Sequence, residues 1–256
     1  MTKTRPQPGL RLKAKVAIIT GGGRGIGRSI AEAYAAEGAK VIVTAAREQA
    51  EIEEVASRIG GIAPQANVTS PEDAERVINT TLSRFGRIDI LVNNAGRGMK
   101  YVSERFMAEP TRFWECDPSA WREIIDTNIN GVFLMTRAVV PHMLRQGAGR
   151  IINISINPET MVRKGFSPYG PSKAALESMS AIWVKDLEGT GVTVNILLPG
   201  GGTETGMIPR QIPESLRANL LKPEVIAPAA VYLASDEASA VTGERIVAVE
   251  WNRKHG

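Results

Sequence analysis

Five short runs rich in β-branched residues punctuate the chain: KVAIIT (15–20), KVIVTA (40–45), IDILVN (88–93), RIINIS (150–155) and VTVNILL (192–198). Stretches with helical spacing lie between them. A strand that is apolar at nearly every position is buried on both faces, and such strands belong to parallel sheets flanked by helices. The helix after the first run carries Ile26, Ile30, Ala33 and Tyr34 and stops at Gly38, which can end it in the left-handed conformation. Further helices are expected over 71–85, 118–146, 169–188 and 223–234. A late run, RIVAVE (245–250), and a third strand ahead of Asn67 bring the expected sheet to about seven strands. Right-handed strand–helix–strand units then give one α/β domain over 1–256, doubly wound around a mostly parallel sheet. Residues 1–13 form an N-terminal extension to it.

Two segments interrupt the alternation, 97–117 (RGMKYVSERFMAEPTRFWECD) and 199–222 (PGGGTETGMIPRQIPESLRANLLK). Connections of this length in a compact domain are usually functional. Both follow strands, so they are expected at the carboxyl end of the sheet, where open α/β folds take their ligands. Their content of Met99, Phe106, Phe113, Trp114 and Met207, with Phe166 nearby, suits the walls of a moderately bulky, mostly apolar substrate.

Composition removes several function classes. Net charge is +4, and the basic residues are scattered, without the clustering that marks a nucleic-acid surface. No stretch approaches the roughly 18 uncharged apolar residues of a membrane span. The opening MTKTRPQPGLRLKAK lacks the apolar core of a signal peptide. The single cysteine, Cys116, precludes an internal disulfide framework. His142 and His255 are far apart and share no metal-ligand spacing, so no metal is expected. A cytoplasmic protein with a small-molecule substrate, and with neither nucleic acid nor membrane as partner, is the expectation.

The segment TGGGRGIG (20–27) directly follows the first strand and opens the first helix. Gly21, Gly23, Gly25 and Gly27, with Arg24 and Ile26 between them, let the backbone turn tightly and approach a pyrophosphate seated on the helix N-terminus. The second strand ends TAAR, so Ala45 and Ala46 stand where a carboxylate would hold the ribose 2′-hydroxyl of NAD. Arg24 and Arg47 can converge instead on the 2′-phosphate of NADP(H), as guanidinium forks do well. NADP(H) is therefore favoured and NAD(H) is the alternative. Asn67, with Val68 beside it, is placed to meet the adenine.

In SPYGPSKAAL (167–176), Tyr169 and Lys173 are four apart, and Pro171 between them confines the pair to a helix's first turn. An ammonium and the positive helix end both favour phenolate. A free tyrosine titrates near 10, and bringing it towards 7 takes roughly 4 kcal/mol of preferential stabilisation. The expectation is a tyrosine that exchanges protons near neutrality.

With these motifs in order, the chain resembles the short-chain dehydrogenase/reductase family over roughly residues 14 to 250. TGGGRGIG (20–27), NNAG (93–96), DTNINGVF (126–133), YGPSK (169–173), PG (199–200) and ASDEASAVTGE (234–244) carry the resemblance. It implies a Rossmann fold and an oxidoreductase that interconverts a carbonyl and a secondary alcohol. Tyr169 would be the general acid/base, Lys173 would hold the nicotinamide ribose, and Asn128 would carry a proton relay. Asn94, Ala95 and Gly96 would line the cofactor beside the central strand. Pro199 and Gly200 would continue that lining, with Thr203 or Thr205 reaching the carboxamide. A homo-oligomer, dimer or tetramer, built on helices 118–146 and 169–188 is implied as well.

The family's fourth catalytic residue is a serine thirteen positions before the tyrosine, and position 156 here is isoleucine. Either a slipped loop lets Ser155 serve, or the role passes to Asn157 or Thr160, or it is missing. The last case supports a second reading, a cofactor-binding relative that has lost its chemistry and acts as a sensor or partner subunit.

Overall fold

Alternate residues of the central strands enter opposite hydrophobic cores. The structure is a computed structural model that describes residues 10–209 and 211–255. Six parallel strands form one sheet in the order β2-β1-β3-β4-β5-β6. They are β1 (Val16–Thr20), β2 (Lys40–Thr44), β3 (Ile90–Asn93), β4 (Gly149–Ile154), β5 (Val192–Leu198) and β6 (Arg245–Val247). The helices are α1 (Gly25–Ala36), α2 (Gln49–Ile59), α3 (Pro71–Phe85), α4 (Pro118–Ile125), α5 (Gly131–Gln146), α6 (Pro158–Met161), α7 (Tyr169–Asp186), α8 (Glu214–Arg217), α9 (Ala227–Ala234) and α10 (Ala248–His255).

On one face Ala17, Ile19, Val41, Val43 and Val92 pack under Ile30 and Tyr34 of α1, Ile52 of α2 and Leu233 of α9. On the other, Val16, Ile18, Ile42, Leu91 and Ile151 pack under Val77 of α3 and Met135 and Val139 of α5. The largely apolar runs are thus explained: the buried strand positions have a helix above or below them. Truncating one of these fully buried side chains to alanine costs about 2–5 kcal/mol.

The expected doubly wound α/β fold is present, and its sheet is wholly parallel, with six strands among the described residues where about seven were expected. The segment ahead of Asn67 makes only a single bridge, Ile42 to Ile62. Ile62 N–H donates to Val41 O at 3.1 Å and Val43 N–H to Ile62 O at 3.0 Å. The next ladder donor would be residue 64, a proline, which has no N–H to give. The last strand also stops at Val247, and residues 248–250 open α10, where Trp251 packs on Tyr232 at 5.4 Å between ring centroids.

The helix expected over 118–146 is interrupted by a π turn at Asp126–Asn130. Of the N-terminal extension, residues 1–9 lie outside the described residues. Leu12 is fully buried in the first core, and its N–H donates to Glu37 O at 2.9 Å. The extension's last residues are therefore part of the fold.

Candidate active site

Thr20, the last residue of β1, ties the phosphate loop to the turn after β3. Its hydroxyl accepts the N–H groups of Asn94 and Ala95 at 3.1 and 3.0 Å. The Asn94 amide in turn donates to the carbonyls of Thr20 and Gly21, both at 2.9 Å. Gly21 has φ +64°, and a Cβ there would lie 3.0 Å from Ala95 Cα. A Cβ on Gly27 would stand 2.2 Å from Gly21 O, so only glycine lets α1 begin so close to β1. Gly23 backs onto Ile52 of α2, and Ile26 packs on the first core.

The first turn of α1 has no side-chain cap and no acidic residue. Its N–H groups and its positive dipole end are thus left to an outside anion, and a pyrophosphate fits that cradle. Arg24, the N-cap of α1, stands at its rim, with its guanidinium paired to Glu48 and Glu51 at 3.3 Å each. Arg47 is exposed and has no ion-pair partner among the described residues. Ala45 is half-buried and carries no charge to compete there.

The structure places the remaining cofactor candidates unevenly. Asn67 is exposed, and its side-chain oxygen accepts Thr69 N–H at 3.2 Å. Val68 turns into the second core, and a Cβ on Gly131 would touch it at 2.6 Å. Pro199 O accepts Val249 N–H at 3.2 Å, and Gly200, at φ +101°, backs onto Val249. Thr203 is buried and donates to Gly201 O at 3.2 Å. Thr205 instead lies over the phosphate loop, 3.1 Å from where a Cβ of Gly25 would be. Met207 continues across to Gly96 and Gly98, so the segment after β5 meets the segment after β3 above the sheet.

Asn128 is fully buried in the π turn. It bonds Arg97 through both side-chain atoms and donates to Ser172 Oγ at 2.9 Å. Ser172 donates to Tyr169 O at 2.7 Å, which joins Asn128 to the first turn of α7. Pro171 falls in that first turn. Lys173 is 5% exposed, and its ammonium donates to Ile154 O at 2.7 Å. Burial pulls Lys173 down to about 8, while the Glu177 carboxylate works in the opposite direction.

Tyr169 differs from expectation. Burial pushes its phenol up to about 12 rather than down. The ring packs on a small third core of Met99, Phe106 and Phe166, and the lysine ammonium gives one of its three donors to the Ile154 carbonyl. A desolvated phenol holds its proton, so the side chain is a neutral donor through physiological pH.

Ser155 is nearly inaccessible, and its hydroxyl donates to Glu177 at 2.6 Å. Alternation along the chain turns it toward α7, as the one-residue offset from position 156 requires. Met99, Phe106 and Phe166 are buried in packing, with Phe106 and Phe166 edge-to-face at 5.7 Å, rather than forming open walls. Phe113 and Trp114 are 68% and 63% exposed at the rim. Sequence reading missed Thr20, Arg97, Glu177 and Arg245. Of these only Glu177 carried a signal, its spacing of four from Lys173.

The short chain dehydrogenase family profile matches residues 15–214. The chain is 36% identical over 248 residues to the 3-oxoacyl-[acyl-carrier-protein] reductase FabG of Escherichia coli K12, covering 93% of this chain and 96% of that protein. It is 37% identical over 249 residues to the 3-oxoacyl-[acyl-carrier-protein] reductase of Synechocystis sp., covering 91% and 94%. Among solved structures, it is similar to the 3-ketoacyl-(acyl-carrier-protein) reductase from Brucella melitensis complexed with NADH. That match has a TM-score of 0.82 and 31% identity, over 92% of this chain and 97% of that one. With the glycine cradle, the NNAG turn and the Tyr169–Lys173 pair all in place, the chain belongs to the short-chain dehydrogenase/reductase family of oxidoreductases.

Proposed function

We propose that the chain is an NADP(H)-dependent reductase of 3-oxoacyl thioesters, the acyl group presented on acyl carrier protein, working in the cytoplasm as a homo-oligomer. The observation that carries the reading is the Tyr169–Lys173 pair, a neutral phenol one helical turn from a buried lysine in the first turns of α7. Relatives covering nearly the whole chain and named as 3-oxoacyl reductases supply the substrate class.

When bound, the nicotinamide supplies hydride to the substrate's keto carbon. The first turn of α1 holds the pyrophosphate through free N–H groups. Arg24 and Arg47 supply guanidinium groups for a 2′-phosphate, and the absence of a carboxylate at Ala45 and Ala46 favours that group. Lys173 holds the nicotinamide ribose. Tyr169 gives its phenolic proton to the oxygen that becomes the alcohol, a general-acid step of the kind that contributes about 10²–10⁴-fold. Asn128 keeps the segment at Arg97 and the first turn of α7 in register, which fixes the phenol's approach.

Exposed Trp121 on α4, Phe133 and Leu144 on α5 and Ile182 on α7 support the homo-oligomer, because large apolar groups on neighbouring helices gain by burial. The functional test gives the purified protein NADPH and acetoacetyl groups on acyl carrier protein, on coenzyme A and on a short thiol. Nucleotide oxidation fastest with the carrier protein supports the reading. Oxidation with simple ketones but with no thioester overturns it.

A further inference from the structure

Behind the Tyr169–Lys173 pair lies a row of alternating charge that the reaction as described does not use. Tyr169, Lys173 and Glu177 stand at successive intervals of four on α7 and so share one face of that helix. Arg245, the first residue of β6, closes the row, its Nε lying 3.1 Å from both carboxylate oxygens of Glu177. From Lys173 to Arg245 the signs run plus, minus, plus.

Each charge holds a different residue of the corner that leaves β4. Lys173 Nζ donates to Ile154 O at 2.7 Å. Glu177 accepts the Ser155 hydroxyl at 2.6 Å. Arg245 Nη2 donates to Ile156 O at 2.8 Å. Three consecutive residues are thus held by three neighbouring charges. The Glu177 and Arg245 side chains are 24% and 31% exposed, less than the fully solvated pairs whose contribution is negligible. A charge as deeply buried as Lys173 persists only with compensation, and Glu177 is the carboxylate one turn away on the same face.

We propose that Glu177 is a positioning residue for the reduction: with Arg245 and Ser155 it clamps residues 154–156 onto α7, so that the Ile154 carbonyl keeps the Lys173 ammonium in place beside Tyr169. The proposal rests on the reductase reading and deepens it. It also gives Ser155 its part in this protein. The hydroxyl belongs to the clamp rather than to the substrate oxygen, which fits the absence of a serine at position 156. Glu177 touches no reacting atom and acts only through Lys173 and the corner.

The test compares Glu177→Gln, Glu177→Asp, Arg245→Met and Ser155→Ala in the full chain, reading kcat, KM for the thioester, and NADPH affinity by quenching of tryptophan emission. Glu177→Gln should lower kcat about tenfold or more with KM little changed, as expected when a reacting group is displaced rather than binding lost. NADPH affinity should fall about threefold in the same variant, and Glu177→Asp should regain part of both. Ser155→Ala should cost only about threefold in kcat, whereas loss of an oxyanion donor costs about 10²–10³-fold. A fall of that larger size at Ser155 with KM unchanged would overturn the proposal, because it would put the hydroxyl on the substrate. Wild-type kcat and NADPH affinity in Glu177→Gln would overturn it too. Should Glu177→Gln fail to fold, Arg245→Met is read by the same criteria. If the native protein reduces no thioester, the reductase reading fails, and NADPH affinity alone then decides for or against the clamp.

Discussion

Asn128 holds both main-chain polar groups of Arg97: its Oδ1 accepts the Arg97 N–H at 2.8 Å, and its Nδ2 donates to the Arg97 carbonyl at 2.9 Å. The same Nδ2 reaches Ser172 Oγ, so one buried amide joins the segment after β3 to the helix that carries Tyr169. The π turn around residue 128 makes this possible, since the wider turn aims a side chain inward that a regular helix would rotate away.

Asn128→Ala should therefore act on stability as well as on rate. It leaves an N–H and a carbonyl without partners, at about 2–4 kcal/mol. Thermal melting should show the midpoint fall by roughly 5–10 °C. A midpoint within a degree of the parent would mean the grip on Arg97 contributes nothing.

Gly27→Ala places a methyl 2.2 Å from Gly21 O and 2.5 Å from the Asn94 amide. The clash falls on the phosphate loop, at Gly21 and Asn94. We expect NADPH affinity, measured by calorimetry, to drop about tenfold or more, in line with an overpacking cost of about 1–3 kcal/mol. Far-ultraviolet circular dichroism should be unaltered.

The nucleotide preference gives a third test. Arg24→Ala combined with Arg47→Ala should raise KM for NADPH by about tenfold or more and leave KM for NADH nearly constant, since charge-assisted bonds to a phosphate contribute about 1.5–3 kcal/mol. Parallel loss with both nucleotides would show that the two guanidinium groups do not read the 2′-position.

Lys173 imposes a pH dependence on stability whose sign follows from its burial. Its value falls from 10.5 to about 8 in the folded chain, so between those limits the unfolded chain binds the extra proton. Stability without added nucleotide should rise as pH climbs from about 8 to about 10.5, by about 3 kcal/mol from this group. Tyr169 acts the other way from about pH 10 upward, because its folded value is raised to about 12 and stability is lost as pH rises between those values. Urea midpoints across this range, compared with Lys173→Met, separate the two. The variant should lack the rise.

Much of the fold is legible in the sequence because double-sided burial makes a strand apolar at most positions, and β1, β2, β4 and β5 show this. The missing seventh strand turns on Pro64, whose effect depends on where it falls in a ladder that only the register Ile42–Ile62 defines. The phosphate loop and the Tyr169–Lys173 pair are local patterns, which a sequence displays without the fold. The direction of the Tyr169 shift does not, because Phe166 and the third core desolvate a phenol that spacing alone assigns to a cationic neighbour. Arg245 is equally invisible: it lies 68 residues from Glu177 and meets it only once β6 joins the sheet. Ser155 points to Glu177 for the same long-range reason.

The most direct measurement is single-turnover reduction of a carrier-bound acetoacetyl group by Tyr169→Phe, beside its NADPH dissociation constant. The account predicts a rate lower by about 10²–10⁴-fold with nucleotide affinity within about twofold of the parent, since only the proton is removed. A variant that still reduces the keto group at the native rate would contradict it.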